Sequence, residues 1–230
     1  MVALFNHQDV AIEAGDLNGV LTELANLEKL RINSKPIDDV IIQFQSIRMH
    51  QEVFLFSGEF EKGLKYSQKV FKEIKVDEKS KIHPHIYAVL LGQQSVLCLL
   101  SKNYQAAYLS LQKLYDFDKS DKDVLQEASI HFLEAIIHYE SGDLVSMKKQ
   151  IQVIKKFNTK NSLDLLHLIK SLEKVAQGIK DVSCSEEYVL MHRIKLNDWF
   201  RSITNNIPLN QVVRETNKNT IKERRVKAKL

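Results

Sequence analysis

His131, Glu134 and His138 follow one another at steps of three and four residues, the spacing that puts side chains on one helix face. Imidazole and carboxylate groups gathered in this way could ligate a divalent cation. Helical zinc sites, however, usually pair histidines a single turn apart and take a third ligand from elsewhere. Here the two histidines are two turns apart, so the expectation is a polar helix face and no metal. His83 and His85 flank Pro84 where a helix starts, which suits a cap or loop role better than ligation. The two cysteines offer no activated thiolate. Cys98 lies in the apolar run "VLCLL", where a buried free thiol is expected. Cys184 lies in a polar stretch with no histidine motif beside it. The paired carboxylates Asp38/Asp39 and Glu186/Glu187 stand at helix starts, where they complement the helix dipole and need no acid–base role. No glycine-rich phosphate loop is present. The residues therefore predict no catalytic group, no cofactor and no enzymatic activity.

Composition sets the frame for these side chains. The chain has 230 residues, 44% apolar and 27% charged, enough to build a sizeable core. No apolar run approaches the roughly 20 residues of a membrane helix, and the start, "MVALFNHQDVAIEAGDL", reads as an amphipathic helix and not as a signal peptide. Two unpaired cysteines fit a reducing cytoplasm. The net charge of +4 is unevenly placed. Arg214, Lys218, Lys222, Arg224, Arg225, Lys227 and Lys229 are opposed only by Glu215 and Glu223, so the excess positive charge belongs to the C-terminal end and the rest is slightly acidic.

The elements that position all of these residues are helices. Val124, Leu125, Ala128, Phe132, Ala135, Ile136 and Tyr139 trace one face, as do Leu144, Met147, Ile151 and Ile154. No convincing period-two strand competes. Four short stretches, "EAGDL", "FSGEF", "LSKNY" and "ESGDL", recur with pivots at Gly15, Gly58, Lys102 and Gly142, roughly 40 to 44 residues apart. A glycine can end one helix in the left-handed conformation, and the polar residue after it can cap the next. Each stretch is thus read as the corner of a hairpin between a first helix A and a second helix B, with a weaker corner at Gly178. Helices are expected near 2–14, 16–31, 36–57, 59–75, 83–101, 103–117, 121–141, 143–157, 162–177 and 186–204. Leu27, Val70, Leu114 and Ile154 recur at one register after the pivots and are predicted core positions. Trp199 and Phe200 are expected to close the end of the core. One hairpin cannot bury its apolar faces alone, so the expected fold is all-α: a right-handed α-solenoid of about five antiparallel helix pairs over 1–205, without a β-sheet, followed by a basic tail over 206–230 that is helical or disordered.

The stretches "FSGEFEKGLKYSQKVF", "LSKNYQAAYLSLQKLY" and "YESGDLVSMKKQIQVI" resemble the corner and second helix of tetratricopeptide (TPR) repeats, over about residues 2–157. The units here are longer than the roughly 34 residues of a TPR. The small residue that the family places five after the pivot is Gly63 and Ala107 in two units, but Val20 and Met147 in the others. The chain is therefore TPR-like, and it is similar to TPR-like proteins common in Bacteroidetes, a likeness that implies no activity. The first helix is shorter than its counterparts, which predicts further repeats upstream of Met1 in a longer chain.

Function follows from architecture and not from chemistry. Solenoids bind partners along extended surfaces, so the expected role is a non-enzymatic scaffold for a protein segment or peptide. The alternative is a peptide-sensing regulatory module of a longer signalling or transcription-regulating protein. Eight residues before each pivot stand His7, His50, Gln94 and Glu134, with Gln43, Tyr87 and Glu127 seven further back. Aligned across stacked repeats they predict a polar groove whose floor holds His50, Gln94 and Glu134, joined by Gln51 and Arg48. The basic tail could touch nucleic acid or an acidic surface, but without interleaved aromatic residues a solvated, frayed terminus is expected.

Overall fold

The computed structural model describes residues 11–12, 14–31, 36–73, 84–117, 124–156, 163–182 and 194–227. Ten helices are defined among them: α1 Leu17–Arg31, α2 Pro36–Ser57, α3 Phe60–Glu73, α4 Pro84–Leu100, α5 Tyr104–Phe117, α6 Val124–Glu140, α7 Leu144–Lys156, α8 Leu163–Ala176, α9 Leu196–Asn205 and α10 Leu209–Lys227. No β-strand occurs among the described residues, so the fold is all-α. Ala11, Ile12 and Ala14 are helical and lead into the first corner. The predicted helix over 2–14, with His7, otherwise lies outside the described residues, as do His83, Cys184, Glu186 and Glu187.

The corners form as their residues require. Gly15, Gly58, Gly142 and Gly178 all have φ between 77° and 83°, a conformation closed to most L-residues. At the fourth corner the Gly142 N–H donates to Tyr139 O at 2.9 Å and the Asp143 N–H to His138 O at 2.8 Å, the paired bonds that finish a helix in a left-handed cap. Asp143 Oδ1 then accepts the Ser146 N–H at 3.0 Å and opens α7. Hydrogen bonds from the Ser146 side chain and backbone hold the exposed Asp143 carboxyl below the usual carboxylate range. Lys102 reproduces the glycine geometry at φ 60° without being a glycine. Sequence reading missed a further corner of the same kind at Asn206, φ 53°, between α9 and α10. The expected helix over 186–204 is corrected at its start: Ile194 and Lys195 are not helical, because Lys195 is extended and its carbonyl caps the first turn of α9.

Neighbouring helices pack in chain order. α2 meets α1, α3 and α4, α4 meets α3 and α5, α6 meets α5 and α7, and α7 meets α8. α2 is apolar on two faces because it is sandwiched. Ile42, Met49, Val53 and Phe56 join Val20, Leu24 and Leu27 in an N-terminal cluster, whereas Val40, Phe44, Ile47 and Leu55 enter the main core. Leu27 is buried in the N-terminal cluster and Leu114 and Ile154 in the main core, as expected, and Val70 is half-buried against the main core. Gly63 is needed for close approach: an added Cβ would come within 2.7 Å of Phe54 and 2.8 Å of Leu97.

The C-terminal end is not a frayed tail. Trp199 and Phe200 of α9 are buried in the main core, Trp199 edge-on to Tyr139 at 5.4 Å. α10 then runs back over the early corners. Leu209, Val212, Val213 and Asn217 are buried. Arg214 Nε donates to Gly58 O at 3.0 Å, Asn217 Nδ2 donates to Leu55 O at 2.9 Å, and Ile221 lies against Gly15. The two helices are pinned to each other by Asp198, whose Oδ1 accepts Thr216 Oγ1–H at 2.7 Å, and by Arg201, which donates to Val212 O at 3.2 Å.

Candidate functional site

The predicted groove residues are placed one by one by the A helices that carry them. Glu134 of α6 is 3% exposed. Its Oε2 accepts Tyr115 Oη–H from α5 at 2.7 Å and its Oε1 accepts Gln150 Nε2–H from α7 at 2.7 Å. Both B helices therefore lie on one side of α6, and the carboxylate is spent between them. His131 Nδ1 is 2.9 Å from Tyr115 Oη and 3.1 Å from Gln150 Oε1. His138 Nε2 is 3.6 Å from Glu134 Oε1. His131 and Glu134 thus share a hydrogen-bonded network with Tyr115 and Gln150, and His138 stands beside it. Among the described residues no group of three His, Cys, Asp or Glu side chains could hold a metal.

Gln51 of α2 is buried and donates through Nε2 to Ser67 Oγ of α3 at 2.8 Å. The neighbouring His50 is half-buried: its Nδ1–H donates to Ser46 O at 2.8 Å, and its ring stacks on Tyr66 of α3 at 4.8 Å. Arg48 is half-buried, with Nε donating to Gln45 Oε1 at 2.9 Å. Gln94 of α4 is half-buried. In α2 and α6, then, the register eight residues before the pivot faces the B helix of its own pair: His50 meets Tyr66, and Glu134 meets Gln150. Of the positions seven further back, Gln43 is half-buried and Tyr87 is buried; the side chain of Glu127 lies outside the described residues. A polar contact that sequence reading missed joins two A helices, where Gln93 Nε2 of α4 donates to the buried Glu52 Oε2 of α2 at 2.7 Å. Nothing in the periodicity of either helix pairs these two.

A second locus lies where α6 ends and α9 turns into α10. A cleft of about 270 Å³ opens there, lined by Tyr139, Glu140, Lys180, Asn206, Pro208 and Leu209 among others. Burial pushes the Glu140 carboxyl up. Trp199 Nε1, donating to Oε1 at 3.2 Å, and the Lys102 charge pull in the opposite direction. Burial, and then the Glu140 charge, raise the Tyr104 and Tyr139 phenols. Lys180 Nζ is 3.5 Å from Asn206 Oδ1. Glu140 thereby anchors the Trp199 indole to the end of α6. Cys98 sits in the core, where burial pushes its thiol up to about 12, so it is not an available nucleophile near neutral pH. No described helix is long and apolar enough to cross a membrane. No family model, curated protein or solved structure matches this chain.

Proposed function

We propose that the protein is a TPR-like, right-handed α-solenoid that acts as a non-enzymatic scaffold and binds a protein segment. The observation that carries this reading is intramolecular. The chain already seats one helical segment, its own α10, across two corners, using main-chain carbonyls (Gly58 O and Leu55 O) together with apolar contacts. Corners that accept α10 through backbone groups suit recognition by shape and hydrogen bonding, with no reactive group required. On α6, His131 and Glu134 are each bonded to Tyr115 and Gln150 of the neighbouring helices.

The test uses photo-cross-linking residues at the exposed apolar positions Ile41, Leu109, Val145 and Ile179, placed singly in the chain within its native cell. At least one position should capture a discrete protein, and that protein, once purified, should bind the purified chain saturably. The scaffold reading fails if no captured protein binds the purified chain.

A further inference from the structure

We infer that the outward faces of the second helices α3, α5 and α7 form a docking surface for an extended, acidic protein segment. The inference rests on the scaffold reading and names the chemistry of its partner. The outward faces of α3 and α7 are rich in lysine, and the exposed Glu61 of α3 lies 3.9 Å from Arg214. On α3, Lys65, Lys69 and Lys72 are exposed opposite the buried Phe60, Gly63 and Ser67. On α7, Lys148, Lys149 and Lys156 are exposed opposite Met147, Ile151 and Ile154, and the helix contains no acidic residue at all. None of these six lysines has an ion-pair partner among the described residues, whereas Lys62 is paired with Glu59 and Lys155 with Glu173. α5 presents Gln105, Leu109 and Lys113, and the side chain of its one acid, Asp116, lies outside the described residues. Acidic residues outside these three helices, among them Asp77, Glu78, Asp118, Asp121 and Asp123, balance the charge in the sequence. A body that is slightly acidic overall thus concentrates lysine on one set of helices. Such a field steers and holds a partner of opposite sign.

The side chains favour protein over nucleic acid. α3, α5 and α7 contain no arginine, so the bidentate fork that reads phosphate is missing. Their four tyrosines are engaged: Tyr66 stacks on His50, Tyr104 packs against the main core, Tyr108 lies 5.4 Å from His138, and Tyr115 bonds Glu134. No free aromatic face is left among these for a base to stack on. Point charges on flexible stems instead suit carboxylates spread along an extended chain.

The experiment measures fluorescence anisotropy of a labelled oligoglutamate of about twelve residues titrated with the full chain at near-physiological salt. Two charge-reversal variants accompany the parent. One carries Lys65→Glu, Lys69→Glu, Lys149→Glu and Lys156→Glu. The other carries Lys218→Glu and Lys222→Glu on the exposed side of α10. All six positions are exposed, so both variants should melt within a few degrees of the parent. Binding should weaken at least tenfold in the first and less than about twofold in the second, and should fall with added salt. The inference is overturned if the parent does not bind the peptide, if the α10 variant loses as much as the first, or if a single-stranded RNA of equal charge binds more tightly. A captured partner that still binds the first variant at full strength would move the site while leaving the scaffold reading standing.

Discussion

The C-terminal hairpin is fastened at its two ends by opposite chemistries. α9 is held on α6 by burial: Trp199 is fully enclosed, meets Tyr139 edge-on and sends its N–H to Glu140. α10 is held on α2 largely by side chains reaching main-chain oxygens, Arg214 to Gly58 and Asn217 to Leu55, with Val212 and Val213 beneath. An aromatic anchor loses transfer free energy and leaves a cavity when it is cut. A single hydrogen bond contributes less, because the unfolded chain replaces it with water. α9 is therefore fastened through the core, whereas α10 adds to its core residues Leu209 and Val213 a strap of side chains that reach main-chain oxygens.

Trp199→Ala should be the most damaging single change, at about 3–5 kcal/mol. Chemical denaturation monitored by far-UV circular dichroism would give the value. Asn217→Ala should cost less, about 1–3 kcal/mol, because it leaves the buried Leu55 O without its donor. Equal losses for the two would erase the distinction between core and strap.

Comparable to the second is the network on α6. Removing the Glu134 carboxylate strands Tyr115 Oη and the Gln150 amide in a part-buried interface, for a cost of roughly 1–3 kcal/mol. The triple change His50→Ala, Gln94→Ala, Glu134→Ala should accordingly lower the unfolding midpoint, where a solvated groove floor would leave it unchanged. A double-mutant cycle of Glu134→Ala with Tyr115→Phe should show positive coupling, since each removes the other's partner. Additive losses would mean that the two groups do not act as a unit.

These contrasts mark what the sequence discloses and what it hides. The corners at Gly15, Gly58 and Gly142 are legible because glycine has one strong local use, and most helices lie within a few residues of the expected bounds. Asn206 builds the same corner but belongs to no repeat, so no spacing announces it. The seat of α10 is hidden for another reason. Its anchors are Arg214 and Asn217, polar types that read as solvated, and their acceptors are backbone atoms more than 150 positions away, which no residue pattern encodes. Glu134 misleads in the same way. Its polarity marks a helix face correctly, but only the positions of Tyr115 and Gln150 reveal that the face is internal.

Glu140 connects both ends of the comparison, because it bonds the aromatic anchor yet carries charge into a half-buried site. Its folded pKa lies above the ordinary carboxylate value, so the folded state holds that proton more tightly than the unfolded chain. Stability contributed by this group is present at low pH and is lost as pH rises through the window between the two values. Glu140→Gln keeps an oxygen for Trp199 Nε1–H and removes the charge. The variant should match the parent in acid and exceed it modestly at neutral pH, the gap opening from the ordinary carboxylate pKa upward. A gap that is constant with pH would assign the effect to packing.

The smallest expected effect tests the corner whose charge reaches Glu140. Lys102 occupies a left-handed conformation at φ 60° that the other pivots leave to glycine, and it is exposed, so its side chain makes no packing contribution to lose. A left-handed L-residue costs roughly 1–2 kcal/mol relative to its ordinary conformation. Lys102→Gly removes that strain, but glycine gives back part of the gain through a more flexible unfolded chain. The change also deletes a positive charge that favours the ionised form of Glu140. The net should be a stabilisation of about 0.5 kcal/mol, or one to two degrees in melting temperature for a chain of this size. In the Glu140→Gln background the charge no longer matters, so the same substitution should gain slightly more. An identical gain in both backgrounds would show that Lys102 acts on the corner alone and not on the anchor of α9.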